Sequence, residues 1–325
     1  MNNYPTYSVA IRTLGTAGEK YLETLRSVDR QSVQPENIFV YIPHGYALPN
    51  ETIGKEVYIR CEKGMITQRS LSFSEINSEF ILFLDDDLSF EKDMVKKMFD
   101  SLLLHQADCI SPNIYPNHNE TFINKCRDFL GGTHPHYKKD WAFIIRNDSH
   151  YSYNNNPKAP ALQTQSGAGA CALCRKTTYE AIHFEDERWM EDVGYAYGDD
   201  QLFFYKMHKY GHKVLTAFDV DITHLDAGAG GAKSKNIGVT ISFCRYVIWR
   251  RTIFDTKCNS FDRFKCRAAL LLSELVIFPL TCAIAIRYRS LQAFKQAKAG
   301  KKAAKRFIKS EDYKKYPSFL QHIKQ

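Results

Sequence analysis

Apolar residues in the first hundred positions alternate between unbroken runs and spaced stripes. Tyr7 to Ile11 (YSVAI), Asn37 to Ile42 (NIFVYI) and, more weakly, Val57 to Ile59 (VYI) are β-rich runs, and FILFL, Phe80 to Leu84, is apolar at every position. Between them Tyr21, Leu22, Leu25 and Val28 recur at helical spacing behind TAGE (Thr16 to Glu19), which has the spacing of a capping box. A second helical stretch, about Thr67 to Ile76, precedes FILFL. Met94, Val95, Met98 and Leu102 form a stripe after it, with Ser89 as the expected N-cap. Strands alternating with helices predict an α/β fold, a mainly parallel sheet covered on both faces. FILFL, with no polar side, should be a central strand.

The second half continues the pattern. GAGACALCRK (Gly167 to Lys176) reads as a loop and a small-residue strand. YGDDQLFFYKMHKYGHKV (Tyr197 to Val214) reads as an acidic turn, a helix and a reversal at Gly211, and LTAFDVDITHLD (Leu215 to Asp226) as a strand ending at His224.

Three aspartates, Asp85, Asp86 and Asp87, follow FILFL directly. In open parallel sheets ligands bind beyond the carboxyl ends of central strands, which is where these side chains would emerge. Packed carboxylates repel and raise one another's pKa unless a cation shares the site. A hard divalent ion, Mg²⁺ or Mn²⁺, with phosphate oxygens completing its shell, suits such a cluster. An acidic, solvated turn explains an isolated DDD equally well, and helix capping explains an isolated Asp199–Asp200 pair. The order of the motifs decides between these readings.

DDD on one strand, DD at a helix start and a histidine after a later strand resemble the family 2 inverting glycosyltransferases of the GT-A fold. The resemblance spans roughly residues 7 to 250 and is carried by SVAIRTLG, by KGMITQRSLSFSEINSEFILFLDDD, and by GACALCRK…ERWMEDVGYAYGDDQLFFYKMHKYGHKV…ITH. It implies that Asp85 and Asp87 form a DxD element, Asp85 near the donor's ribose and Asp87 on the metal that holds the diphosphate. Asp86 is grouped with Asp85 on the donor side. The resemblance makes Asp200 the general base, with Asp199 beside it, and makes His224 a partner of the metal or diphosphate. Arg69, in TQRS, matches an arginine near the nucleotide, and Arg12 and Thr13 end the strand that faces it. The family usually reads V-D-D-G-S after its second strand, with an aspartate reaching the base. Here that segment is VYIPHGY, Val40 to Tyr46, which offers His44 and no carboxylate, so the base is left unassigned.

Charge adds a second theme. Residues 1–232 carry 23 Lys and Arg against 31 Asp and Glu, whereas residues 233–325 carry 21 against 5. Within this basic tail AALLLSELVIFPLTCAIAI, Ala268 to Ile286, lies between Arg263, Lys265 and Arg267 on one side and Arg287 and Arg289 on the other. Apolar residues flanked by arginines suit an anionic bilayer surface better than nucleic acid, which calls for exposed basic and aromatic residues. Glu274 and Pro279 interrupt the run, so a helix pair lying in the interface is expected rather than a span; a buried core helix is the plain alternative. The expected layout is a catalytic domain over 1–250 and a basic helical tail over 251–325. The polar start MNNYPTYSVAIR and nine irregularly spaced cysteines point to a reduced, cytoplasmic protein on the inner face of a membrane.

Other features read more plainly. Cys171 and Cys174 lack a second pair at zinc spacing and should be buried thiols. THPHYKKDW (Thr133 to Trp141) and SYNNNPKAP (Ser152 to Pro160) lie where acceptor-facing loops would fall, or are surface loop. Trp189, Glu191 and Asp192 line an acceptor pocket or pack in the core, and GAGGAKSK (Gly228 to Lys235) folds over a diphosphate or links to the tail. The expected function is transfer of a sugar from a nucleoside diphosphate sugar to a glycan or lipid-linked acceptor. A sugar nucleotidyltransferase, or an inactive binding protein on the same fold, are the alternatives; RTLGTAG meets the former's phosphate loop poorly.

Overall fold

The computed structural model describes residues 4–114, 121–131, 140–225, 236–287 and 290–323. The first half runs β1 (Tyr7–Arg12), α1 (Glu19–Asp29), β2 (Ile38–Pro43), β3 (Glu56–Cys61), α2 (Met65–Arg69), β4 (Phe80–Asp85), β5 (Leu88–Phe90), α3 (Met94–His105) and β6 (Cys109–Pro112). Then come α4 (Phe122–Leu130), β7 (Phe143–Ile145), β8 (Tyr151–Tyr153), β9 (Ala161–Gln163), β10 (Cys171–Arg175) and α5 (Lys176–Ala181). A 3₁₀ segment, Phe184–Val193, leads to α6 (Asp199–Lys209), β11 (Val214–Ala217) and β12 (Ile222–His224). The remainder is helical: α7 (Ile237–Ile248), a π-helical segment Trp249–Phe254, α8 (Ser260–Arg287), α9 (Gln292–Phe307) and α10 (Glu311–Lys314).

Eight strands form one sheet in the order β3-β2-β1-β4-β10-β6-β11-β9. β1, β2, β3 and β4 pair in parallel, as do β6 and β11; β10 runs against β4 and β6, and β9 against β11. The expected mainly parallel sheet is present, with two reversed strands. β4 lies inside it, and its side chains divide between the two faces: Phe80, Leu82 and Leu84 join one buried cluster, Ile81 and Phe83 the other. A strand buried on both sides needs apolar residues at every position, which is why FILFL has no polar side.

Four local expectations change. The helix expected over 67–76 is only α2, because Phe73 has φ 46° and its ring is buried against Tyr41, Phe83 and Tyr179. The apolar spacing there belongs to a loop that feeds the core. Ser89 caps nothing: it sits in β5 and donates to Glu23 Oε1 at 2.9 Å, while α3 starts after Asp93. TAGE forms no capping box, since α1 starts after Gly18 with no side-chain cap. LTAFDVDITH is two strands, β11 in the large sheet and β12 paired antiparallel with β5.

The C-terminal helices pack on this body. α9 lies on α7 where Gly300 faces it; a Cβ there would come within 2.3 Å of the Val239 carbonyl oxygen. Pro279 does not split the apolar run, because α8 continues through it with the proline on the exposed side. Beneath these helices Glu187 is fully buried and accepts from Arg251 Nε at 2.7 Å and Nη2 at 3.1 Å, from Trp189 Nε1 at 2.7 Å and from Lys206 Nζ at 3.3 Å. Arg251 also donates to the Pro317 carbonyl at 2.5 Å. The boundary at residue 250 thus falls inside the π-helical segment, beside an ion-paired residue.

Burial works to raise the Glu187 carboxyl, and Arg251 and Lys206 overcome it, so the group lies below its usual range. Removing one partner of a buried pair costs about 3–5 kcal/mol; Glu187→Gln should therefore lower unfolding stability by roughly 3 kcal/mol at neutral pH. With the folded pKa below the unfolded one, this stabilisation is complete above the free carboxyl value, about 4.3 for Glu, and is lost as pH falls through the folded value. Denaturant titrations of parent and variant should converge on acidification below that value. A deficit independent of pH would refute the ionic assignment.

Candidate active site

The acidic run leaves the sheet at the end of β4. Register places Arg12, the last residue of β1, opposite Asp85, and Arg12 Nη2 donates to Asp85 Oδ1 at 2.6 Å. Thr13, next along, donates its hydroxyl to Asp86 Oδ2 and accepts from the Gly15 amide at 2.8 Å. Burial pushes the Asp86 carboxyl up to about 6; Thr13 opposes the rise, and the charges of Asp85 and Asp87 add to it. Asp87 is buried, and His224 Nε2 lies 3.2 Å from its Oδ1. The two-stranded ladder of β5 and β12 sets His224 across from Leu88, beside Asp87, and the Leu225 amide donates to the Asp87 carbonyl at 2.7 Å. Arg12, Thr13, Asp85, Asp86, Asp87 and His224, expected together, are together.

Asp199 and Asp200 open α6, and neither caps it. Arg69 Nη2 lies 2.9 Å from Asp199 Oδ2 and 3.7 Å from Asp200 Oδ1. Arg69, expected beside the nucleotide, is buried against these carboxylates with its guanidinium over the Phe203 ring. Burial holds the Asp199 carboxyl well above its usual range, with Arg69 opposing and Asp200 adding to the rise. Burial also acts to raise Asp200, but Arg69, the Asp199 proton and the Gly169 amide together hold it below its usual range. The two shifts are opposed, so of the pair Asp199 holds a proton more tightly and Asp200 ionises more readily.

The two clusters meet at Gly169. Its carbonyl accepts from Arg12 Nη2 at 3.3 Å and from Arg69 Nη1 at 3.5 Å, a long contact. A Cβ on Gly169 would come within 2.6 Å of Arg69 Nη2 and 2.8 Å of Asp200 Cγ. Gly169 was visible in GAGACALCRK only as part of a loop; no spacing rule marks a backbone that two guanidiniums approach. Glu191, weighed as a pocket residue, instead accepts from the Thr67 amide at 2.8 Å and hydroxyl at 2.9 Å, fixing α2 and so Arg69. Trp189 is fully buried, His44 is exposed, and Cys171 and Cys174 are buried in β10.

A cavity of about 380 Å³ opens beside the first turn of α6, between Tyr197, Gly198 and Gln201 on one side and β7, β8 and α4 on the other. Tyr153 and Asn155, from SYNNNPKAP, line it. Most of THPHYKKDW and all of GAGGAKSK lie outside the described residues. Among the described residues no group of three or more His, Cys, Asp or Glu side chains is placed to hold a metal. Asp87 and His224 would hold one as a pair, with the charge of the raised Asp86 beside them.

Residues 53–182 match the family model described as Glycosyl transferase family 2, which bears out the resemblance over that segment. No curated protein sequence matches the chain. Among solved structures, the crystal structure of GalNAc-T7 with UDP, GalNAc and Mn²⁺ is similar at 13% identity and TM-score 0.50, over 90% of this chain and 59% of that one. The chain thus spans less than two thirds of that relative's length. The mannosyltransferase PcManGT from Pyrobaculum calidifontis, in complex with GDP-Man and Mn²⁺, is similar at 13% identity and TM-score 0.48, over 99% of this chain and 85% of that one. The fold is the GT-A fold, with a helical C-terminal part.

Overpacking a close site costs about 1–3 kcal/mol. Gly169→Ala should lower the melting temperature and displace Arg69 from the acidic pair, read as a raised Asp200 pKa in carboxyl NMR. An unshifted Asp200 titration would mean that Gly169 does not set the arrangement.

Proposed function

We propose that the protein is an inverting glycosyltransferase that moves a sugar from a nucleoside diphosphate sugar to a hydroxyl of a glycan or lipid-linked acceptor, in the synthesis of a surface polysaccharide. One observation carries the reading: the donor-side acids and the ionised Asp200 are joined through Arg12 and Arg69 at the Gly169 carbonyl. Such a link fixes a leaving-group site relative to a base.

In this reading Asp200, already a carboxylate, accepts the proton as the acceptor hydroxyl attacks. The Arg69 cation and the contact with Asp199 keep that charge in place before the reaction, so little reorganisation is needed during it. A single displacement with no enzyme-bound intermediate inverts the anomeric carbon. Arg12 orients Asp85 towards the ribose, and Thr13 holds Asp86. Asp87 and His224 would hold Mn²⁺ or Mg²⁺, with phosphate oxygens and water as the other ligands, a mode that suits hard ions bound by few protein groups. Bound there, the ion supplies charge stabilisation for the departing diphosphate.

Residues 251–325 are proposed as the part that rests on the cytoplasmic face of a membrane. No helix among the described residues is long and apolar enough to cross one. On α8, Phe261, Phe264, Leu271, Leu275 and Phe278 are exposed at spacings of three, seven, four and three, one stripe along the helix. The Glu274 carboxylate next to it is paired with Lys301 Nζ of α9 at 2.6 Å, which reduces the cost of bringing it near lipid. Flanking Lys and Arg contribute about 1 kcal/mol each near an anionic surface.

Two experiments test the reading. Metal-dependent hydrolysis or transfer from UDP-, GDP- and dTDP-sugars should be abolished by EDTA and by Asp87→Ala. Asp200→Asn should retain donor binding while losing about 10²–10⁴-fold in turnover. Normal turnover in that variant would move the base elsewhere. Separately, the full chain should sediment with anionic vesicles and be released only in part by high salt, which screens the charges but not the apolar stripe. Leu271→Glu with Leu275→Glu should abolish sedimentation; unchanged sedimentation would sink the assignment of α8.

A further inference from the structure

We infer that the cavity beside α6 receives an acceptor bearing a phosphate group, seated on Arg127 and Arg245. The inference rests on the transferase reading and names the acceptor class for it.

Three arginines line the cavity, Arg127, Arg146 and Arg245, against one carboxylate, Asp128. Arg146 is spent on the wall, with Nη1 donating to Asp128 Oδ1 at 2.6 Å and Nε to Asp148 Oδ1 at 3.1 Å. The other two have no carboxylate partner among the described residues. Arg127 Nε is buried with no hydrogen-bond partner. Arg245 donates one Nη2 bond, 2.9 Å, to the Tyr197 hydroxyl and lies over that ring, with no further hydrogen bond among the described residues. A guanidinium presents up to five donors in a fork matched to phosphate oxygens, so two of them on one cavity are a surplus that an anion would satisfy.

The surplus is felt by neighbouring groups. Burial and then Arg245 drive the His150 imidazole down to about 3, with Arg127 and Arg146 adding to the fall and Asp148 opposing it. Burial and the cations of Arg146 and Arg245 lower Arg127 itself. The part of this fall that comes from the arginines, unlike the part from burial, is a positive field that attracts an anion.

Position links the cavity to the chemistry. Gly198 and Gln201, which line it, flank Asp199 and Asp200, and the Asp200 charge contributes to raising the Tyr151 hydroxyl in the opposite wall. A phosphate on the arginines would therefore set an attached sugar hydroxyl towards Asp200. Ile277 of α8 closes one side, next to exposed Phe278, which lies about one turn from exposed Leu275. An acyl or prenyl chain on the phosphate would leave along the apolar stripe.

The test is calorimetric titration of the full chain in EDTA, which removes any metal-held phosphate site, with n-octyl phosphate, inorganic phosphate and n-octyl glucoside as probes. Octyl phosphate should bind and octyl glucoside should not. Arg127→Gln and Arg245→Gln should each weaken octyl phosphate at least tenfold, while Lys96→Gln, at an exposed residue of α3 outside the cavity lining, should not. Octyl phosphate binding tenfold tighter than inorganic phosphate would identify a lipid-borne group; equal binding would identify a soluble phosphorylated acceptor, and both support the seat. No phosphate binding by the parent, or unchanged binding in both arginine variants, would overturn it. Circular dichroism checks each fold, and if Arg127→Gln fails to fold, the exposed Arg245 carries the test. Donor binding that survives while phosphate binding fails overturns only this inference; the reverse overturns the transferase reading.

Discussion

Five carboxylates stand at one edge of this sheet, and their mutual repulsion is the constraint that the surrounding structure answers. Two buried guanidiniums do most of that work, Arg12 against Asp85 and Arg69 against Asp199 and Asp200, and both turn a donor to the same backbone carbonyl. Arg69 is not replaceable by a mobile surface lysine, because its two terminal nitrogens divide between the Gly169 oxygen and the acidic pair. Buried charge of this kind contributes little net stability. It fixes position: β1, β4, β10, α2 and α6 cannot shift against one another without leaving an ion unpaired.

That architecture was legible where a period could be counted. β4 announced itself through FILFL, and α1, α3 and α6 through their stripes, because those elements bury one or two faces against a sheet. The Arg12–Asp85 group was legible because β-strand register carries Arg12 to Asp85, and both residues ended recognisable strands. His224 was found at the end of a strand, although the chain between Ala217 and Ile222 leaves one sheet for another. What escaped was long-range and non-periodic. Phe73 takes a left-handed turn to enter the core, so a helical spacing proved to be a buried loop. Arg69 lies under the acidic pair because Glu191, over a hundred residues away, anchors its helix. No local pattern records a contact of that separation.

Arg127 and Arg245 were likewise silent in sequence, the first within a net acidic stretch and the second among the many basic residues of the tail. Only the fold distinguishes an arginine spent on its neighbours, such as Arg146 or Arg251, from one with donors to spare. The net charge of the second half therefore mixes three physical roles: internal ties, a surface field and a cavity lining.

The Arg251–Glu187 bond also sets a temporal order. Arg251 takes its last acceptor from Pro317, and Phe319, almost wholly buried, stacks on Tyr205 at a centroid distance of 6.1 Å. Both groups lie far along the chain from the helix they complete. During synthesis, the Pro317 carbonyl for Arg251 and the Phe319 ring for Tyr205 of α6 therefore arrive only after every other element that packs around them has been made. Asp199 and Asp200 thus open a helix whose packing is completed by residues more than a hundred positions later, whereas Arg12 and Asp85 meet within the first 85 residues.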